Sequence, residues 1–153
     1  ARGADSANTL KEDGHVDRLG HGLRLFEDPQ VEKKAAQEHW VLEQCPTSNE
    51  QTLAVKQFDK EHYPFDKYDK EGIVVTVNTD DPGVCNVTLT SENERVMDLY
   101  DYSLEKMESL NLRALDVAFI SDEKKKEMRE KLLKNYEEVN KNLKRQLDIR
   151  EKI

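Results

Sequence analysis

The sequence predicts an α/β fold: a parallel sheet or (β/α) barrel of which this chain holds about three strands, followed by helices. Three observations carry this. Strand-like and helix-like apolar patterns alternate with short connections from residue 4 to about residue 100. The strongest strand, Ile73-Val74-Val75-Thr76-Val77, is a nearly unbroken β-branched run, as expected of a parallel strand covered on both faces. At 153 residues the chain is one domain by length, yet too short for a closed eight-stranded barrel, which takes about 250.

In chain order, Ala4 to Glu12 reads as a helix with Ala7 and Leu10 inward, stopped near Gly14. Val16 to Gly20 is the first strand. Asp28 as N-cap and Pro29 at the first helical position start a helix through Val31, Ala35 and Ala36 to Glu38. Trp40 to Cys45 is the second strand, stopped by Pro46. Asn49 is placed to cap a helix over Thr52 to Phe58. A short helix over Phe65 to Lys70 ends on Gly72, a left-handed cap, before the third strand. Ser91 with Glu94 forms a capping box for a helix to Tyr100. Ser103 starts the next helix, with Leu104, Met107, Leu110, Leu115, Ala118 and Phe119 as its inward side, and Ser121 starts the last.

The segment after Ser121 is charged at almost every second residue, so the division expected is a partial barrel over 1–120 and a long helix over 121–153. Met128, Leu132, Tyr136, Val139, Leu143 and Leu147 form one narrow stripe along that helix. This is a docking seam or, more simply, the packed side of a solvated terminal helix.

Composition removes several function classes. Acidic residues outnumber basic ones 32 to 24, for a net charge of −8, a poor match to nucleic acid or an anionic membrane. No apolar run approaches the roughly 20 residues of a membrane span, and no secretory leader opens the chain. Two cysteines, Cys45 and Cys85, make no disulfide framework, which favours a reducing, cytoplasmic setting. Cys45 reads as a buried inert thiol without a paired histidine, and Cys85 as a loop residue.

Candidate chemistry sits where the parallel strands end, the functional edge of such sheets. Gly20-His21-Gly22 places a histidine with no bulk on either side. Asn78-Thr79-Asp80-Asp81-Pro82 places two carboxylates, and Cys45-Pro46-Thr47-Ser48-Asn49 adds hydroxyls and an amide to the same rim. Singly, a histidine beside a turn is commonly structural and Asp-Asp-Pro commonly a cap. Together, a histidine and two aspartates on adjacent strand ends can converge. One carboxylate could ligate a divalent metal, the other could bind substrate, and the histidine could orient or deprotonate a water. The four histidines form no His-x-His, so these residues do not complete a three-histidine zinc site.

Arg18-Leu19-Gly20-His21-Gly22, Leu42-Glu43-Gln44-Cys45-Pro46-Thr47-Ser48-Asn49 and Val77-Asn78-Thr79-Asp80-Asp81-Pro82-Gly83 resemble, in order and approximate spacing, motifs of the adenosine deaminase family. Phe119-Ile120-Ser121-Asp122-Glu123-Lys124-Lys125 is similar to a stretch near that family's C-terminus, and the likeness covers roughly residues 1–135. It implies the C-terminal part of a (β/α)8 TIM-type barrel with one Zn2+ at its mouth. The implied reaction is hydrolytic deamination of adenosine or deoxyadenosine to inosine or deoxyinosine plus ammonia. By position His21 matches the catalytic histidine that helps deprotonate the attacking water, Asp80 a zinc ligand, and Asp81 the residue that hydrogen-bonds the purine N7.

The family's His-x-His and His-Ala-Gly-Glu motifs, which supply the other zinc ligands and a catalytic acid, have no counterpart here. The chain therefore reads as a carrier of part of the site, inactive alone and partnered by a missing N-terminal barrel segment or by itself. Two alternatives stand beside adenosine: an adenine or N6-modified-purine nucleotide deaminase, and a non-catalytic deaminase-like fragment acting only by association.

Overall fold

The computed structural model describes residues 2–150, and it divides into two compact units, Ala1–Met107 and Glu108–Ile153. The first holds α1 (Gly3–Glu12), β1 (Arg18–Gly20), a 3-10 turn (Leu23–Glu27), α2 (Pro29–Gln37), β2 (Val41–Gln44), α3 (Pro46–Gln51), α4 (Phe65–Glu71), β3 (Val74–Val77), α5 (Pro82–Cys85) and α6 (Leu89–Tyr100). Then α7 (Leu104–Asp116) runs across the division, and α8 (Asp122–Arg150) lies in the second unit.

The sheet is β1-β2-β3, parallel throughout, as the β-branched pattern predicts. Leu19 pairs with Leu42 and Leu42 with Val75, and all three are at most 4% exposed. That register puts the three strand ends at one edge of the sheet. Among the described residues the outer edges of β1 and β3 have no further strand beside them. The core around the sheet is made by Leu25, Trp40, Phe65, Tyr68, Ile73 and Val96, each essentially inaccessible. Burial of each is worth about 1.5–3 kcal/mol before the entropy of ordering it.

Several local expectations hold. Asp28 Oδ1 accepts from the backbone N–H groups of Gln30 and Val31, with Pro29 following it. Gly72 closes α4 at φ +97°. Ser103 Oγ accepts from Lys106 N–H, and Ser121 Oγ from Lys124 N–H, so both serines cap the helices they precede.

Others are corrected. The helix expected over Thr52 to Phe58 is absent, and the residues form turns, with Leu53 at φ +56°. Helix α3 forms earlier because Pro46 suits the first helical position, where its missing N–H costs nothing. Asn49, expected as a cap, lies inside α3 with its amide turned to other side chains. The capping box of α6 is Thr88 with Ser91, three residues upstream of the pair expected. Leu10, Leu104 and Phe119 are exposed rather than inward, whereas Ala4 joins Ala7 in the core. Cys85 is buried at the end of α5 instead of lying in a loop.

In the second unit Asp116 accepts, through its carbonyl oxygen, a bond from Lys125 Nζ, and its carboxylate pairs with Arg129. Asn140 donates to Glu108. Along the stripe of α8, Met128, Val139 and Leu143 are exposed, while Leu132 and Tyr136 are half-buried. Leu147 lies outside the described side chains.

An aromatic row links the turn region to α4 and α6. Phe58, Tyr63, Phe65, Tyr100 and Tyr102 stand with successive ring centroids 4.7, 6.4, 6.2 and 5.3 Å apart. Burial raises the hydroxyl pKa of Tyr63, Tyr68, Tyr100 and Tyr102 above the ordinary phenol value. The folded chain therefore holds these protons more tightly than the unfolded chain. Their contribution is fully present below about pH 10 and is lost as pH rises beyond it. In an alkaline titration these four tyrosines should ionise together with loss of helical circular dichroism. Their gradual ionisation near the ordinary phenol value, with helicity retained, would contradict the packing.

Candidate active site

The three strand ends deliver His21, Cys45 and, after Asn78 and Thr79, Asp80 to one edge of the sheet. His21 follows Gly20 directly, and its backbone N–H donates to Glu43 O at 3.0 Å. His21 and Asp80 both adopt φ +59°, a conformation few non-glycine residues accept, and such strain collects at functional sites. Gly22, at φ +58°, continues the left-handed turn, and a Cβ there would stand 2.6 Å from Leu42 Cδ2. The bare neighbour that matters is therefore Gly22, because a Cβ on Gly20 would meet open space.

His21 Nδ1 lies 2.7 Å from Asn49 Oδ1, and its Nε2 lies 3.6 Å from Asp80 Oδ2. Ser48 Oγ donates to the same Asp80 oxygen at 2.7 Å. Cys45 is buried beside them, and burial, reinforced by the Asp80 and Glu43 carboxylates, pushes its thiol up to about 12. That matches the inert thiol expected, although a histidine does stand near it. One donor atom each from His21, Cys45 and Asp80 falls within 4.8 Å of the others. Of the three, the Asp80 carboxylate is a donor that fits a zinc ion, whereas the Cys45 thiol, held protonated by burial, is not in the form that binds one.

Asp81 is not drawn into this cluster. Its Oδ1 accepts from the N–H groups of Gly83 and Val84, capping α5, and the cap uses that oxygen for both bonds. A cavity of about 400 Å³ opens on one side, lined by Ala7, Leu19, His21, Ser48, Asn49 and Asp80 among others. A second hollow of about 460 Å³ is lined by His21, Cys45, Asn78 and Asp80. Both are of the size that small ligands occupy.

Helix α3 holds the rim in place, and what anchors it is Glu92. This carboxylate is 1% exposed, and it accepts the Thr47 N–H at 2.9 Å together with the Thr47 hydroxyl. The charge sits at the N-terminus of α3, where free N–H groups and the helix dipole favour an anion. Sequence reasoning placed Thr47, Ser48 and Asn49 on the rim but missed Glu92, 45 residues from its partner. No local pattern signals that contact.

Residues 2–135 match the family model described as adenosine deaminase. The chain belongs to the adenosine deaminase family. Among curated members it is 38% identical over 124 residues to the adenosine deaminase of Lactococcus lactis, covering 80% of this chain and 35% of that one. It is 36% identical over 119 residues to that of Enterococcus faecalis, covering 78% and 35%. The chain thus spans about a third of the length of these family members.

Solved structures give the same fold. The adenine deaminase of Arthrobacter aurescens superposes with a TM-score of 0.81 at 24% identity, covering 90% of this chain and 42% of that one. A zinc-bound amidohydrolase from Burkholderia ambifaria gives 0.78 at 23%, covering 92% and 39%. The N6-mAMP deaminase of Arabidopsis gives 0.69 at 27%, covering 78% and 35%. The fold is part of a (β/α) barrel, as the family resemblance implied.

Replacing Glu92 by Ala leaves two donors on Thr47 without a partner, which should cost about 2–3 kcal/mol. The expected reading is a lower urea midpoint at unchanged slope. An unshifted midpoint would mean that α3 does not depend on this anchor.

Proposed function

We propose that the chain forms the C-terminal part of a zinc-dependent active site that deaminates adenosine or deoxyadenosine to the inosine nucleoside and ammonia. The observation that carries this is the approach of His21 Nε2 to Asp80 Oδ2, within 3.6 Å, from two different strand ends. Adenosine is favoured over adenine or an N6-modified nucleotide because the curated relatives at 32–38% identity are adenosine deaminases. The match covers 35% of the Lactococcus lactis enzyme, so the remaining site residues come from outside the motifs matched here.

In this reading Asp80 is the metal ligand this chain provides. Zinc, when bound, supplies Lewis acidity that makes a water nucleophilic near neutral pH. Ser48 donates to Asp80 and holds its carboxylate in one orientation. His21, half-exposed to the cavity, takes a proton at Nε2 from the attacking water. Asp81 hydrogen-bonds the purine at N7 through the oxygen not used in the α5 cap. The two cysteines are buried and unpaired, in keeping with a reducing cytoplasmic location, and among the described residues no helix is long and apolar enough to cross a membrane.

The test is zinc content together with adenosine-to-inosine turnover. It would be run on the chain alone, sized by light scattering, and on the chain mixed with the N-terminal two-thirds of the Lactococcus lactis enzyme. Turnover and bound zinc are expected in the mixture. Asp80→Ala should lose both, while His21→Ala keeps zinc and loses rate by roughly a hundredfold or more. Full activity in Asp80→Ala would overturn the assignment. Preference for adenine or N6-methyl-AMP would move it to the rival substrate. A self-associated chain inactive in every mixture would favour a non-catalytic role.

A further inference from the structure

Four polar contacts behind the site form a closed circuit that starts and ends on His21. The main-chain carbonyl of His21 has only lone pairs to offer, and Gln44 Nε2 donates to it. That orients the Gln44 amide, turning its Oε1 toward the Tyr63 hydroxyl at 3.4 Å. A phenol has one proton. If Tyr63 donates to Gln44, it must accept from its other neighbour, Asn49 Nδ2 at 3.2 Å. Asn49 is then oriented too, and it presents its Oδ1 to His21 Nδ1 at 2.7 Å. Facing an acceptor, Nδ1 carries the ring proton.

We infer that Gln44, Tyr63 and Asn49 are positioning residues that fix His21 as the Nδ1–H tautomer, leaving the Nε2 lone pair toward Asp80 and the cavity. Run in reverse, the circuit would set the Gln44 amide oxygen against the His21 carbonyl, two acceptors in contact. Water cannot relieve that clash, since Gln44, Asn49 and Tyr63 are 0%, 1% and 1% exposed. In such a dry setting each bond polarises the next, and an unmatched group is costly. Free histidine prefers its proton on Nε2, so the circuit holds the less favoured form. A proton on Nε2 would abolish its capacity to accept one, which is the task proposed for His21.

The catalytic meaning of the circuit rests on that proposed role; the tautomer does not. It is read on the metal-free, 15N-labelled chain at alkaline pH, where a free imidazole is neutral. Long-range proton–nitrogen correlations of the ring are assigned by their loss in His21→Gln. A single Nδ1–H pattern is expected for His21, and an Nε2–H pattern or an average of the two would overturn the inference. Tyr63→Phe keeps the aromatic row but breaks the circuit, freeing the Asn49 amide to turn. The Nδ1–H fraction should then fall below one half, and an unchanged pattern would remove Tyr63 and Gln44 from the mechanism. Asn49→Asp offers only acceptors and should keep the Nδ1–H form whatever Tyr63 does; its loss would remove Asn49. Were Tyr63→Phe to unfold, the unmutated chain and Asn49→Asp would still decide. Neither zinc nor substrate is needed, so a failure of deamination leaves this result standing, and a mixed tautomer would refute it even in an active enzyme.

Discussion

Leu19, Leu42 and Val75 lie side by side across the sheet, buried to 4% exposure or less, and they fix the register of three parallel strands. A one-residue slip of any strand would turn its apolar side chains away from the core and move the end of that strand by one position. The site depends on those ends being level. His21 and Asp80 reach each other because β1 and β3 flank β2 in register, with Cys45 and the start of α3 between them. The register thus sets the position of the site, and the turns after each strand set its geometry.

Those turns are not the most comfortable backbone available. Left-handed conformations at His21 and Asp80 cost of order 1–3 kcal/mol each unless the surroundings impose them. Here they do: the His21 N–H and carbonyl are both taken, and Ser48 holds the Asp80 carboxylate. The energy to hold the strained residues comes from the core beneath and from α3 beside them. Helix α3 in turn is pinned by the buried Glu92 carboxylate. Structural and chemical roles are layered: Glu92 anchors Thr47, the next two residues orient Asp80 and His21, and those two line the cavity.

The strands, most helix starts and the three chemistry-bearing turns were legible because each is written in adjacent residues. A β-branched run, an Asp-Pro start, a glycine after a helix and a Gly-His-Gly turn act within a few positions of themselves. The misreadings share the opposite cause. The stretch after Pro46 has both a helix start and a potential cap at Asn49, and local pattern does not choose between them. Contacts from Tyr63 and His21 decide it. The box at Thr88 was displaced by an equally good local candidate three residues on.

By itself the sequence determined an α/β chain with three parallel strands, polar residues at their ends, and motifs resembling a single enzyme family. Such features follow from side-chain periodicity, turn chemistry and residue identity, all of them short-range. Tertiary structure alone decided that His21 Nε2 faces Asp80 and that a buried Glu92 holds α3. It also decided that Gln44, Tyr63 and Asn49 close a circuit on the histidine. These partners are separated by 14 to 59 positions in the chain, and their polar atoms meet only because burial denies them water and leaves each other as the available match.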